Sequence, residues 1–226
     1  MKKITEPQDA ITDKITCIML TRNEVRRPFV QMAIRCFQRQ TYAHKELLII
    51  NSGKEPIGCT DDRVREIMST APTLGHLRNI GLDNVKDGFA IHWDDDDWRH
   101  EEYLSALWNE SGRTIPRKQT KLLNVDFETG DAYIGPAFSV MLYHTSSVHS
   151  RYPEWNNYED TAFRDQFPSI EEVDIPEHYY LRFYHGDNIC SRDHILSGWR
   201  KTEEYREQIE DVIKEIRGYE TNNVCS

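Results

Sequence analysis

The sequence lacks several features that mark familiar protein classes. No apolar run approaches the roughly 18–20 residues that a membrane-spanning helix needs. No apolar stretch follows the two lysines near the start, so we expect no signal peptide. The five cysteines are scattered and form no C-x-x-C pair, which gives no basis for a zinc ribbon or a disulfide framework and favours a reducing cytoplasm.

Positive charge is also scarce. The formal net charge is −10, with 28 basic against 38 acidic residues, which argues against broad contact with a nucleic-acid backbone. Four motifs of well-known enzymes are absent as well: G-x-S-x-G, H-E-x-x-H, the Walker A loop and G-x-G-x-x-G. The sequence therefore gives no motif support for the enzyme classes that these patterns define.

The first half of the chain has the pattern of an α/β protein. Short apolar runs predict strands at 15–20, 45–53 and 88–93. Between them we predict a helix that begins at Pro28, a short helix capped by Thr60, and a helix over 75–86. This alternation predicts a mainly parallel central sheet with helices on both faces.

The second half has a different pattern. Residues 121–135 and 137–146 are typical of antiparallel strands, followed by a helix over 158–167 and a strand over 179–186. An apolar stripe predicts an amphipathic C-terminal helix. No linker or repeat interrupts the chain, so we expect a single domain over 1–226, built from a first half at about 15–98, a second half at about 99–200 and the helix at 202–218.

Polar residues follow each predicted strand of the first half: Thr21-Arg22-Asn23, Asn51-Ser52-Gly53 and the run Asp94–Asp97. Ligands of such sheets bind beyond the carboxyl ends of the strands, so we expect these loops to meet at one crevice. Carboxylate oxygens suit Mg²⁺, Mn²⁺ or Ca²⁺. Since only alternate residues of an extended chain face one side, either Asp94 and Asp96 or Asp95 and Asp97 would share an ion. The alternative is a solvated acidic loop.

Four stretches together resemble the family 2 inverting nucleotide-sugar glycosyltransferases, which have the Rossmann-like GT-A fold. They are the opening "ITCIMLTRNEVRRPFVQMAIRCFQRQTYAHKELLIINSG", the helix "GHLRNIGL", the acidic "AIHWDDDDW" and the acceptor-side "NNYEDTAF". The resemblance covers the first half of the chain clearly and the second half more loosely. It implies that the first half binds a nucleoside diphosphate sugar and that the smaller, antiparallel portion receives the acceptor.

The resemblance also implies roles for residues of the donor site. Thr21, Asn23 and Arg78 would contact the nucleotide, as would the pair Asp94 and Asp95. Arg22 and Arg26 lie beside this site in the sequence and could hold phosphate, with a solvated loop as the alternative. Asn51 stands where the family commonly has an acid that reads uracil, so a UDP-sugar is favoured but other bases stay open. Asp96, Asp94 and His185 would hold Mn²⁺ or Mg²⁺, with the register of the aspartates open by one residue.

On the acceptor side, the resemblance implies that Asp160 is the general base of an inverting transfer and that Glu159 orients the acceptor hydroxyl. The alternative is that Glu159 and Asp160 are exposed acids without a catalytic role, in the first turn of a helix, where negative charge favours the helix dipole. Trp155 and Tyr158 are candidate acceptor contacts, although packing explains them equally well. The acceptor stays open: a glycan, a lipid-linked sugar, a protein or a modified nucleobase. Two other functions remain, a non-catalytic nucleotide-sugar-binding relative and, less favoured, a nucleotidyltransferase, which usually needs a Gly-rich basic loop that "LTRNEVRR" does not provide.

Overall fold

A seven-stranded sheet lies at the centre of the computed structural model, which describes residues 14–86, 88–108, 115–138, 140–189, 191–196 and 198–219. From one edge to the other its strands are β10 (Glu171–Val173), β6 (Arg117–Gln119), β9 (Leu142–His144), β4 (Phe89–His92), β1 (Ile15–Thr21), β2 (Lys45–Asn51) and β3 (Val64–Met68). Strands β4, β1, β2 and β3 run parallel to one another, and β9 is antiparallel to both of its neighbours. The predicted mainly parallel sheet is confirmed.

Helices cover both faces of this sheet because successive side chains of its buried strands point to opposite sides. Cys17 and Met19 of β1 belong to the core that contains helix α1 (Asn23–Arg39). Ile18, between them, packs in a second core with α2 (Leu74–Asp83) and α4 (Glu159–Arg164). The continuous apolar run of β1 is thereby buried on both faces, which is typical of a parallel strand with helices on each side.

A second sheet of five strands lies beside the first. Its order is β12 (Arg200–Thr202), β8 (Ala132–Pro136), β7 (Lys121–Asp126), β11 (Tyr180–Tyr184) and β5 (Asp97–Arg99). The predicted hairpin of β7 and β8 is antiparallel and turns at Gly130, whose φ of 73° is the left-handed conformation that glycine adopts readily. Strand β11 is parallel to β7 and antiparallel to β5, so this portion is mostly, but not wholly, antiparallel.

Short helices and the C-terminal helix complete the described residues. They are α3 (Tyr103–Leu107), α5 (Arg192–Leu196), α6 (Arg206–Gly218) and the 3-10 turns Thr145–Ser147 and Glu177–Tyr179. The apolar stripe of α6 is buried at Ile209, Val212, Ile213 and Ile216, and this helix packs against α1. It begins at Arg206, four residues later than the predicted 202, because residues 200–202 pair with β8 as β12.

Two sequence predictions in the first half are wrong. The short helix predicted from Thr60 is absent: Asp61 accepts hydrogen bonds from the Arg63 backbone and guanidinium at 2.7–3.0 Å, and the chain continues as strand β3. Helix α1 begins at Asn23 instead of Pro28, and its backbone is non-helical at Arg26, with φ −124° and ψ 27°. Pro28 therefore lies two residues beyond this break, near the start of the regular part of the helix.

Candidate active site

A cleft of about 220 Å³ opens beyond the carboxyl ends of β1 and β4. Of the three loops predicted to meet at one crevice, the run Asp94–Asp97 lines this cleft, whereas its described lining contains no residue of the loops 21–23 and 51–53. The cleft extends to the start of α4. Residues lining it include the four aspartates of the acidic run, both acids of the E-D pair, Arg26, Arg78, Tyr158, Arg182 and Asn188. The cleft thus brings the acidic run, the α2 helix and the E-D pair to a single space.

The acidic run is not extended, because Asp95 and Asp96 form a turn between β4 and β5. This corrects the expectation that alternate aspartates share a face. Instead, Asp95 and Asp96 contact Arg26, whereas Asp94 and Asp97 lie beside Tyr180. We call these the outer pair (Asp95, Asp96) and the inner pair (Asp94, Asp97).

Arg26 provides the positive charge at the outer pair. Its Nη1 donates to Asp96 Oδ2 at 2.8 Å and to Asp95 Oδ1 at 3.1 Å, and its Nη2 donates to the backbone oxygen of Asp187 at 2.7 Å. The same Asp96 oxygen lies 3.3 Å from both His185 Nε2 and Asn188 Nδ2. One carboxylate oxygen therefore meets a guanidinium, an imidazole and an amide.

Arg99 provides the positive charge at the inner pair. Its side chain is fully buried, and the guanidinium carbon lies 4.5 Å from the Trp93 ring centre and 4.4 Å from that of Tyr180. Arg99 Nη2 lies 3.6 Å from Asp94 Oδ2 and donates to the Tyr180 hydroxyl at 3.1 Å. That hydroxyl donates to Asp97 at 2.6 Å, so the inner pair is held by a charge and a phenol inside the protein.

Three of the neighbouring carboxylates of the acidic run differ in their pKa. Burial and the charge of Asp96 raise the pKa of Asp95 to about 7, against the opposing effects of Arg26 and the Thr21 hydroxyl. Burial together with Asp96 and Asp94 raises the pKa of Asp97 to about 8. Burial also acts against ionisation of Asp96, but His185 and Arg26 outweigh it, so the pKa of Asp96 is lowered. Asp96 is thus the member of the outer pair that carries negative charge most readily.

Helix α2 joins the acidic run to the acceptor-side segment. A side-chain carbon on Gly75 would lie 1.8 Å from the Pro153 oxygen, and one on Gly81 would lie 2.5 Å from Ile18, so both approaches require glycine. Asn79 exchanges two hydrogen bonds of 2.9 Å with the backbone of Tyr152. The G-x-x-R-N-x-G pattern therefore fixes the position of the segment that leads to the E-D pair.

Arg78 of the same helix links the two acidic groups. Its Nε donates to Glu159 Oε1 at 2.9 Å, where the Glu159 side chain is buried and that of Arg78 is 12% exposed. Asp94 and Asp160 are also close enough to raise the pKa of Arg78, along with Tyr152 and Glu159, against the effect of burial. Asp160 lines the cleft and accepts from its neighbour Thr161 N at 2.7 Å. The alternative of two exposed helix-start acids is wrong for Glu159, which is only 3% exposed.

The predicted donor-side residues differ in their placement. Arg78, Asp94 and Asp95 line the cleft, and buried Thr21 lies beside Asp95. Arg22 is exposed at the start of α1, and the side chain of Asn23 lies outside the described part of the structure.

Asn51 requires a correction. It is fully buried, its amide nitrogen donates to Glu66 at 2.7 Å and to the Glu55 oxygen at 3.0 Å, and its amide oxygen accepts from Gly53 N at 2.7 Å. Every hydrogen-bonding group of this side chain therefore organises the loop after β2. The geometry does not support the predicted contact between Asn51 and a base.

Of the two candidate acceptor aromatics, Tyr158 lines the cleft and is 71% exposed, whereas Trp155 is exposed outside the lining found among the described residues. Tyr158 has φ 63°, a left-handed conformation that costs energy for a residue with a side chain. Phe138, 49% exposed, lines the same mouth and was not predicted, because nothing in its strand-like surroundings distinguishes it from a core residue. Arg99, Tyr180, Arg182 and Asn188 were also missed.

The acidic run provides only part of the coordination shell of a divalent ion. Within the residues that the structure describes, no three His, Cys, Asp or Glu side chains converge as a complete metal site. Asp96, which lines the cleft, nevertheless has its Oδ2 3.3 Å from His185 Nε2, so one carboxylate and one imidazole are in contact there. Mg²⁺-type ions take few protein ligands and complete their shell with phosphate and water, so this pair fits such an ion. Asp94, the third predicted ligand, belongs instead to the inner pair.

Comparisons with known proteins identify the fold as the GT-A type of α/β fold found in glycosyltransferases. Staphylococcus aureus TarS 1–349 in complex with UDP-GlcNAc superimposes with a TM-score of 0.59 at 15% identity, covering 90% of this chain and 66% of that one. The mannosyltransferase PcManGT from Pyrobaculum calidifontis, in complex with GDP-Man and Mn²⁺, gives 0.52 at 11% identity, covering 79% and 60%. The predicted fold class is confirmed.

In sequence, the chain is similar to the glycosyltransferase GlyA of Streptococcus pneumoniae serotype 4 (strain ATCC BAA-334 / TIGR4). The two are 25% identical over 108 residues, which is 44% of this chain but only 15% of that protein's length. No family model matches the chain. In the described ranges, none of the helices has the length and apolar character to cross a bilayer.

Proposed function

We propose that this chain is a metal-dependent inverting glycosyltransferase that moves a sugar from a nucleoside diphosphate sugar to an acceptor hydroxyl. The observation that carries the proposal is a single cleft lined by Asp96 of the acidic run, by Arg78, and by both acids of the E-D pair. His185 contacts Asp96, and Arg78 contacts Glu159. The named relative and the structural neighbours are glycosyl- and mannosyltransferases, which supports the same class of reaction.

On the donor side, Asp96 and His185 would hold Mn²⁺ or Mg²⁺, which would bind the two phosphates and stabilise the leaving diphosphate. Arg78 and Asp94 both line the cleft and lie close enough to interact electrostatically, and we propose that they contact the ribose and the sugar. The neighbours with UDP-GlcNAc and GDP-Man support a nucleotide-sugar donor. A UDP-sugar is our preferred donor, but its base would be read by groups other than the buried Asn51 amide.

On the acceptor side, Asp160 is the proposed general base, which accepts the proton of the attacking hydroxyl while the sugar's bond to the diphosphate breaks. Glu159 is engaged by Arg78, so it positions the segment rather than accepting that proton. Tyr158 and Phe138 line the cleft and are exposed, which suits contact with the apolar face of an acceptor group. We also propose that the chain is one domain, because a single core contains side chains from both sheets and from α6.

The test compares Asp160→Asn with Asp165→Asn, the same substitution at the end of the same helix, where the Asp165 side chain is 62% exposed. We expect Asp160→Asn to reduce transfer about a thousandfold while keeping Mn²⁺-dependent nucleotide binding, since general-base catalysis is worth roughly 10²–10⁴-fold. Asp165→Asn should behave as wild type. Transfer at the wild-type rate by Asp160→Asn would contradict the proposal.

A thermal-shift screen of nucleotide sugars with and without Mn²⁺ identifies the donor, since a ligand that binds only the folded state raises the melting temperature. Asp96→Ala should lose the Mn²⁺-dependent part of that shift, whereas Asp160→Asn should keep it.

A further inference from the structure

We propose that Arg26 is an internal counter-cation that competes with the divalent ion for Asp96. The proposal rests on the metal-dependent function above and adds to it a competition between Arg26 and the ion that the sequence did not predict. Until the ion binds, the guanidinium neutralises the outer pair. When the ion and the diphosphate bind, Arg26 leaves Asp96 and becomes available to the phosphates.

The competition follows from the contacts of one oxygen. Arg26 Nη1 lies 2.8 Å from Asp96 Oδ2, and His185 Nε2 lies 3.3 Å from that oxygen. A Mn²⁺ or Mg²⁺ ion shared by Asp96 and His185 would bind this oxygen at about 2.1 Å. The Arg26 side chain is only 19% exposed and so is held against the acids instead of extending into solvent. Donors of Arg26, His185 and Asn188 already contact this oxygen. Because two cations that share one carboxylate oxygen repel each other, binding of the ion should displace the guanidinium.

Replacement of the Arg26 guanidinium by the ion at Asp96 is electrostatically favourable only when a diphosphate is present. Arginine stays protonated in proteins, so the guanidinium brings one positive charge to two buried carboxylates, whereas the ion brings two. Displacing Arg26 with the ion alone leaves a partly buried guanidinium without its acids, which is costly. A diphosphate supplies acceptor oxygens for the same guanidinium, which binds phosphate well. The ion and the diphosphate should therefore bind cooperatively.

The backbone and the neighbouring segment favour this role. The helix is interrupted at Arg26, so its side chain is not directed by the regular helix that starts beyond it. Arg26 Nη2 also donates to the Asp187 backbone oxygen at 2.7 Å, in the segment that carries His185 and Asn188. One side chain therefore touches both the carboxylate and the segment that would supply the second ligand, so its departure changes both together.

The experiment is a Mn²⁺ titration of the full chain, with free Mn²⁺ read by electron paramagnetic resonance, with and without UDP. The variants are Arg26→Gln, Arg26→Lys and the control Arg27→Gln, on the next residue, which is exposed. We expect Arg26→Gln to bind Mn²⁺ without UDP about tenfold more tightly than wild type, the scale of one charge-assisted hydrogen bond. Arg26→Lys should be intermediate, Arg27→Gln unchanged, and the gain from UDP should be smaller in Arg26→Gln than in wild type.

Equal or weaker Mn²⁺ binding by Arg26→Gln, with an unchanged melting temperature, would overturn the role of Arg26. If Arg26→Gln does not fold, the Mn²⁺ affinity of Arg26→Lys is the test. Mn²⁺ binding by Arg26→Lys that is no tighter than that of wild type would also overturn the role of Arg26. Sugar transfer by wild type, and its loss in Asp160→Asn, would then still support the proposed function. If no variant binds Mn²⁺ even with UDP, both the competition and the metal dependence are wrong, and transfer in the presence of a chelator would show whether the transferase reaction survives.

Discussion

Two arginine–carboxylate pairs on helix α2 differ in burial and therefore in their effect on stability. In the pair Arg78–Glu159 the side chains are 12% and 4% exposed, whereas in the pair Arg151–Asp83 they are 53% and 55% exposed. We expect Arg78→Ala to lower the free energy of unfolding by about 3 kcal/mol, because it leaves a buried carboxylate without its partner. Arg151→Ala should cost less than about 1 kcal/mol. Urea denaturation measures both, and equal losses would contradict the burial argument.

The cysteines also differ in their environment. Burial raises the pKa of the Cys36 thiol to about 12 and raises that of Cys17 further, whereas Cys59 is only half-buried. The thiolate is the reactive form, so we expect iodoacetamide at mildly alkaline pH to modify Cys59 well before Cys17 or Cys36 in the folded protein. Peptide mapping by mass spectrometry measures this order. Rapid labelling of Cys36 in protein that has not unfolded would show that its site is open.

Single residues show where prediction from sequence reaches its limit. Asp96 and His185 were expected together because a family resemblance places them so, and their contact of 3.3 Å agrees with that placement. Arg99 and Tyr180 were not expected, since they are 81 positions apart and no local pattern marks a buried arginine as the partner of an acid. Asn51 was predicted to contact a base, but its amide bonds Glu66 on β3, a strand that the sequence did not predict.

At the scale of elements, α2 depends on close contacts that only glycine permits. Gly75→Ala would bring a carbon to 1.8 Å from the Pro153 oxygen, whereas Gly218→Ala on α6 meets nothing within 4 Å. We expect the first change to cost about 2 kcal/mol or more, through overpacking against backbone, and the second to be neutral or slightly stabilising. Thermal unfolding of both variants measures the difference. A Gly75→Ala melting temperature equal to that of Gly218→Ala would contradict the contact.

Helices and strands with a regular pattern of apolar residues were predicted well, whereas short polar strands were not. Strands β1, β2 and β4 and helices α2 and α4 follow from apolar runs or helical spacing. Strand β3 was missed because Thr60-Asp61-Asp62 looks like a helix start, yet Asp61 bonds Arg63 locally instead. Strand β5 begins with an aspartate, a residue depleted in strands, and exists because it pairs with β11, far away in the sequence.

At the scale of the whole molecule, α6 covers a core that both sheets share. Ile216 is fully buried there, beside residues from α1 and from the second sheet, whereas Lys214 is exposed on the same helix. We expect Ile216→Ala to lower the free energy of unfolding by about 3 kcal/mol, and Lys214→Ala to change it by less than about 0.5 kcal/mol. Chemical denaturation followed by tryptophan fluorescence measures both. Similar midpoints for the two variants would show that α6 is dispensable for the core.

The turn at Asp95 and Asp96 makes four identical residues non-interchangeable. Deleting any one of them would leave a run of three acids with almost the same composition, yet every aspartate after the deletion would take over its neighbour's place. Three aspartates cannot fill all four positions between β4 and β5, so the contacts of the run with Arg26, His185 and Tyr180 could not all be kept. An insertion or deletion within the run Asp94–Asp97 should therefore disrupt the site far more than replacement of a single aspartate by asparagine.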